Sequence, residues 1–221
     1  MKIKTPLTRA RIRTHMTYHW WNYVAVVLAS VFGWNLLYIT TAYRSPEELR
    51  IDLYIQSASV TEESAAAFIK PIWESTVPEM ETVSSVLLSA SSEDYYASMQ
   101  LSVYLMAAEG DIYLLRSSDF KSYAAQGVFL DLQPFVDNNT LNVDGLDLSA
   151  GYVAQVDEDG VPSGEMGLYG IPAYALSGLR SGMQLDNQDI VIGVTVFNGN
   201  EENVLAFLNG LIAAGRDSGA E

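Results

Sequence analysis

The residues of this chain best suited to ligand chemistry are hydroxyls set at the ends of apolar runs. Ser57 and Ser59 follow the alternating Ile51, Leu53 and Ile55; Ser89 to Ser92, Ser91 among them, follow Val83 to Leu88; and Ser117, Ser118 and Asp119 follow Ile112 to Leu115. Tyr174 stands in a fourth such position, after Ile171 and Pro172. A hydroxyl both donates and accepts, and the loops beyond the carboxyl ends of parallel strands also expose backbone N–H groups, so these positions could hold a small polar solute. Serine and aspartate are equally the preferred residues for capping helices, and capping is the competing reading of each.

Other chemistries are narrowed by what the chain lacks. There is no cysteine, hence no disulfide, thiolate nucleophile or thiolate metal site. His15 and His19 are the only histidines, and both precede the long apolar segment, which removes a Ser-His-Asp triad or a histidine-bound zinc from everything after it. Asp157, Glu158, Asp159 and Gly160, followed by Glu165, cluster oxygen ligands of the kind calcium prefers, but their spacing is not that of an EF-hand, and a solvated acidic turn explains them equally. Carboxylate pairs abound in so acidic a chain, and spacing alone singles out none as a glycosidase acid and nucleophile. No glycine-rich phosphate loop, cofactor motif or internal repeat is present.

Charge divides the chain in two. Six of the twelve basic residues (Lys2, Lys4, Arg9, Arg11, Arg13 and Arg44) lie before Pro46 with no acid among them, so all 27 acids face the remaining six bases, a formal balance of −21. Such a domain repels nucleic acid and anionic lipid, leaving proteins, neutral solutes or cations as partners. Tyr23 to Ile39 is uncharged and mostly apolar, and as a helix its 17 residues would cover about 26 Å, near the lower limit for crossing a bilayer. Trp20, Trp21 and Tyr23 at one end, and Tyr38 and Tyr43 at the other, suit the two interfaces. The bases ahead of the span predict a cytoplasmic N-terminus and an extracellular domain. This organisation assigns residues 1–19 to a cytoplasmic segment, 20–43 to a transmembrane anchor and 44–221 to the extracytoplasmic domain. A cleaved signal peptide, with Thr40 and Ala42 before the cut, is the alternative. Ala25, Ala29 and Gly33 recur every four residues along the span, a stripe that permits close helix packing or simply faces lipid.

The 175 residues after Pro46 suffice for one well-buried domain. Strands are expected at Leu49 to Gln56, Val83 to Leu88 and Ile112 to Leu115. Between them fall a helix capped by Thr61, running to about Ser75 and kinked or shortened by Pro71, and another capped by Ser91 or Ser92 and ending near Ala108. The alternation predicts an α/β domain with a mainly parallel sheet. Val204, Leu205, Phe207, Leu208, Leu211 and Ile212 mark an amphipathic helix over Glu201 to Ala214 that packs on that sheet, while Asp137 to Gly145 reads as a polar loop.

Three blocks carry a family resemblance. GDIYLLRSSDFKSYAAQGVFLDLQPFV (Gly110 to Val136) reads as a strand, a serine turn, a short helix ending at Gly127, and then Leu130, Leu132 and Pro134. With LYGIPAYALSGL (Leu168 to Leu179) and VIGVTVFNGNEENVLAFLNGL (Val191 to Leu211), it resembles the extracellular solute-binding proteins of ABC importers, in the maltose-binding class. The resemblance implies a type 2 periplasmic-binding-protein-like fold without enzymatic activity, solute contacts from Ser57, Ser59, Ser91, Ser117, Ser118, Asp119 and Tyr174, and a transporter permease as candidate partner. In that family the strand like LYGIPAYALSGL leads into a second lobe from which the strand like VIGVTVFNG returns. Here about ten residues, Arg180 to Asp189, intervene, which suit a turn or hairpin and cannot make a lobe. The expectation is a single lobe behind one membrane helix, acting as a binding or accessory subunit, or as a receptor completed by a partner or a second copy. With no cysteine for a lipid anchor, attachment falls to the apolar segment. Protease added to intact cells or protoplasts is expected to digest the chain beyond Pro46 and spare its N-terminus; a mature protein beginning near Tyr43 would overturn this.

Overall fold

The computed structural model describes residues 8–41, 43, 45–89, 95–156, 161–195 and 199–217, and the chain divides into two units, Met1–Arg44 and Ser45–Glu221. The first is one helix, α1 (Arg9–Thr41), of 33 residues, about 50 Å long at 1.5 Å per residue. It starts well before Tyr23, carrying Arg9, Arg11 and Arg13 into the same helix. Its stretch Arg13–Thr41 is long and apolar enough to cross a membrane. The hydroxyls inside it are satisfied by their own helix: Ser30 donates to the Val26 carbonyl at 2.8 Å, Thr40 to Leu36 at 2.9 Å and Thr41 to Leu37 at 2.6 Å. Such back-bonding leaves no hydroxyl hydrogen unpaired in an apolar surrounding.

The second unit is an α/β domain on a central sheet. In chain order it comprises β1 (Arg50–Gln56), α2 (Glu62–Thr76), β2 (Thr82–Leu88), α3 (Tyr95–Met106), β3 (Ile112–Arg116), α4 (Ser117–Ala125), α5 (Gln133–Asp137), β4 (Tyr152–Val156), β5 (Pro162–Leu168), β6 (Gly170–Pro172), α6 (Ser177–Met183), β7 (Ile190–Val194) and α7 (Glu201–Asp217). The five-stranded sheet runs β2-β1-β3-β7-β6, and β4 with β5 forms a separate pair. β1 is parallel to β2 and β3, whereas β7 is antiparallel to both β3 and β6. The expected parallel character therefore holds for four strands, with one reversed strand inserted among them. The β4–β5 pair is absent from the sequence expectations, and 157–160, at its turn, lie outside the described residues.

Local chemistry explains most boundaries. Thr61 caps α2 in a reciprocal box with Ser64, satisfying two amides that the first turn leaves open. Pro71 neither ends nor shortens this helix, which continues to Thr76, where the Thr76 hydroxyl returns to the Ile72 carbonyl. Gly127 follows α4 at φ 77°, the left-handed conformation that terminates helices. Asp137 to Gly145 is a loop as expected, yet it buries Leu141 and Val143.

The sheet buries both faces. On one, Ile51, Leu53 and Ile55 meet Ile69 and Ile72 of α2, α6, and Phe207, Leu208 and Leu211 of α7; α7 buries all six residues of its apolar pattern. On the other, Tyr54, Tyr113, Leu115, Phe120 and Phe129 meet Leu101 and Leu105 of α3. The rings of Tyr54 and Tyr113 stack with centroids 4.8 Å apart, and Gly110 (φ 82°) passes directly under Tyr54, where a Cβ would collide with the ring.

Burial raises the pKa of both phenols, with the Glu109 carboxylate adding to it at Tyr54 and the Tyr54 ring adding to it at Tyr113. An unfolded tyrosine ionises near pH 10. Above that pH the unfolded chain holds fewer protons than the native one, so the stabilisation is complete below about pH 10 and declines as pH rises toward the native pKa values. The melting temperature is expected to fall above about pH 10, and the fall should be shallower in Tyr54→Phe. An unchanged alkaline slope in that variant would contradict the assignment.

Candidate functional site

Sheet order places the sequence-predicted residues along one border. The carboxyl ends of β2, β1, β3 and β6 and the amino end of β7 emerge together, because Gln56 pairs with Leu88, Arg116 with Ile190, and Pro172 with Val191. Ser57, Ser59, Ser117, Ser118, Asp119 and Tyr174 all follow these ends. Ser91 lies outside the described residues. Tyr174 stands two strands from Ser117, about 10 Å along the border at 4.8 Å per strand.

The bonding is mostly internal. Ser57 Oγ accepts from the amides of Ser59 and Val60 at 3.1 and 3.2 Å, making a serine turn after β1. Ser59 donates to the Gln184 carbonyl at 2.6 Å, tying that turn to the end of α6. Ser117 and Ser118, expected in a turn, form the first helical turn of α4. The Ser117 amide donates to the Asp189 carbonyl at 2.9 Å. Following amides in that turn have no helical carbonyl to bond. Ser118 is exposed, and among the described residues its hydroxyl has no hydrogen-bond partner.

Asp119 is held by two residues absent from the sequence expectations. Gln56, 6% exposed, donates from Nε2 to Asp119 Oδ2 at 2.7 Å and accepts the Arg116 amide on Oε1 at 2.9 Å. Arg116 Nη2 lies 3.4 Å from the same carboxylate oxygen, while its buried Nε has no partner. One amide side chain thus joins the ends of β1 and β3 to the start of α4. The signal was present in LYIQ, where Gln56 follows Leu53, Tyr54 and Ile55; a polar residue in that position must be paired once buried.

Tyr174 is 41% exposed, and its hydroxyl reaches toward the Asp147 carbonyl at 3.5 Å. Partial desolvation, then the Asp147 neighbour, raise its pKa. Asp147 in turn is shifted down, first by the Ser149 amide that donates to its carboxylate at 2.9 Å. The bridge expected as a turn or hairpin, Arg180 to Asp189, is the last turn of α6 followed by a loop. Gln184 ends the helix in the left-handed conformation, and Asn187 is anchored to the carbonyls of Ala173 and Leu176 at 2.8 and 2.9 Å.

Among the described residues, two clefts lie away from the serine border. One groove of about 500 Å³ runs between α2 and α7 past Phe68, Ile72 and Gly210. Another, of about 260 Å³, sits at the opposite border beside Arg50, Asp52 and Asp111. There Arg50 pairs with Asp52 at 2.6 Å and the Asp52 amide donates to Asp111 at 2.9 Å, while Glu47 and Glu109 beside them leave the lining acidic. Among the described residues no group of three or more histidines, aspartates or glutamates is placed to hold a metal; the acidic residues 157–160 are outside them.

Gln56→Leu is expected to cost about 1–3 kcal/mol in a denaturant titration, because it leaves the Arg116 amide and one Asp119 bond unpaired. Ser118→Ala should stay within about 0.5 kcal/mol. Equal costs for the two would show that the clamp is not what holds the border.

No protein-family model matches the chain, and no curated protein matches it. Among solved structures it is similar to an extracellular solute-binding protein family 1 from Alicyclobacillus acidocaldarius subsp. acidocaldarius, at 18% identity and a TM-score of 0.41, over 62% of this chain and 33% of that one. The chain thus spans about a third of that protein's length.

Proposed function

We propose that this chain is a membrane-anchored, extracytoplasmic binding or accessory subunit without enzymatic activity, working beside a transporter permease of the ABC class. Residues 1–19 are then cytoplasmic, 20–43 form the anchor, and 44–221 form one solute-binding-protein-like lobe. The observation that carries the proposal is the serine border itself. Hydroxyls and first-turn amides converge where α/β sheets bind ligands, but Ser57, Ser59 and Asp119 are engaged by the Ser59 and Val60 amides, the Gln184 carbonyl and Gln56.

That engagement favours the accessory reading over a free-standing receptor. Ser59, Ser118 and Tyr174 are the exposed candidates; the Ser59 hydroxyl is committed to Gln184, and Ser118 and Tyr174 follow different strands. The short β6–β7 connection supplies no second wall, and a site with one wall buries less of a solute than the clefts that bind small molecules well. A receptor completed by a partner or a second copy is the alternative, in which Ser117, Ser118 and Tyr174 meet the opposing wall.

A solute at 100 times its dissociation constant would stabilise the fold by about 2.7 kcal/mol, which a melting experiment detects readily. Sugars, amino acids and short peptides at micromolar concentration are expected to leave the melting temperature unchanged. A micromolar ligand whose shift disappears in Ser118→Ala or Tyr174→Ala would show that the lobe is a receptor in its own right.

A further inference from the structure

The two borders of the central sheet are finished differently. β6, at one border, has three residues and ends in Pro172, so it offers few backbone groups to another strand. β2, at the other, has seven residues, TVSSVLL, with no charge and no proline. Its seven residues pair in unbroken parallel register with β1 on the inner side. Among the described residues no further strand covers its outer side. An unguarded row of amides and carbonyls about 23 Å long is what sheet proteins ordinarily protect with lysine, proline or a bulge, because it templates a further strand.

A second feature lies along the same strand. A cleft of about 310 Å³ separates β2 from α2, lined by Ile69, Lys70, Trp73, Val83, Ser84 and Ser85, with Glu62 at its rim. On that face of β2 the side chains run Val83, Ser85, Leu87: apolar, polar, apolar, symmetric about Ser85. Val83 and Leu87 are only partly buried against the core beneath them, so each has apolar surface left to cover.

We infer that β2 is a homotypic interface, at which a second copy of this chain adds its own β2 antiparallel across a two-fold axis at Ser85. The two five-stranded sheets become one. Val83 then stands opposite Leu87 of the partner subunit, and Ser85 opposite its counterpart, which is the self-complementarity that a two-fold interface demands. Charge selects the same place. A domain of formal charge −21 beyond Pro46 repels its copy over most of its surface, but β2 is uncharged and its cleft carries one acid and one base, Glu62 and Lys70. A lipid surface is the poorer occupant, since hydrocarbon offers nothing to unpaired backbone groups. The inference depends neither on solute binding nor on the transporter reading.

The absence of cysteine makes the test clean, because one introduced thiol reports one position. In the full-length chain in its native membranes, Ser85→Cys under mild copper-phenanthroline oxidation is expected to give a disulfide-linked species of twice the chain mass. Ser122→Cys, on the exposed side of α4, should stay monomeric. Val83→Cys and Leu87→Cys co-expressed should cross-link to each other, which fixes the antiparallel register. In the detergent-solubilised protein, Ser85→Lys should convert a dimer to a monomer by light scattering while keeping the far-UV circular dichroism of the folded parent. A monomeric parent chain, or a Ser85→Cys product linked to a protein of different mass, would overturn the proposal.

Discussion

The reversed strand β7 is the constraint on which the rest of the domain depends. All five of its residues are buried. It bonds β3 along its full length on one side and β6 on the other, so β6, with three residues, belongs to the sheet only through β7. Four buried apolar side chains contribute about 1.5–3 kcal/mol each, and Gly193 within the strand leaves room for Phe129 to lie against the backbone. Tyr174 and the whole α6 connection are positioned by this one strand, and Thr195 just beyond it locks the far end by donating to the Gly110 carbonyl at 2.7 Å.

Beside this apolar constraint works a polar one. Gln56 is nearly inaccessible, yet its amide meets both the backbone of β3 and the carboxylate of α4. In a low-dielectric setting such bonds contribute little as pairs but cost much when one partner is lost. It fixes the start of α4 against β1, and so decides which way the Ser117–Ser118 turn faces. The geometry of the border rests on a residue that is itself buried.

How much of this was legible in the sequence follows from the range of each interaction. The elements whose determinants are local could be read directly: the alternation of β1, the Thr61 cap, the apolar pattern of α7 and the left-handed Gly127 all act within one or two turns. The membrane-length helix was read for the same reason, although its N-terminal extension was not, because basic residues do not oppose helix formation. What could not be read depends on partners far apart in sequence. The antiparallel sense of β7 is set by pairing with β3 some eighty positions earlier, and β4 has one buried residue among its five, too weak an alternation to read. Pro71 does not shorten α2, because its cost is met by the packing of α2 on the sheet. Ser57, Ser59, Ser117 and Ser118 follow strand ends on one border, since strand ends follow from strand identity. Their bonding was hidden, since Gln184 and Asp189 come from the other end of the chain.

The distance in sequence between β3 and β7 also orders events in time. Ile112 must wait for Val194, and Arg116 for Ile190, so the middle of the sheet cannot close until residue 194 has been synthesised and freed. Until then β1, β2 and β3 form a three-stranded parallel fragment with an open flank of apolar residues, and parallel pairing across such separations is slow. A nascent chain paused before residue 190 would therefore present both of its strand edges at once, and the interval before β7 docks is when it is most exposed to aggregation and most in need of a chaperone.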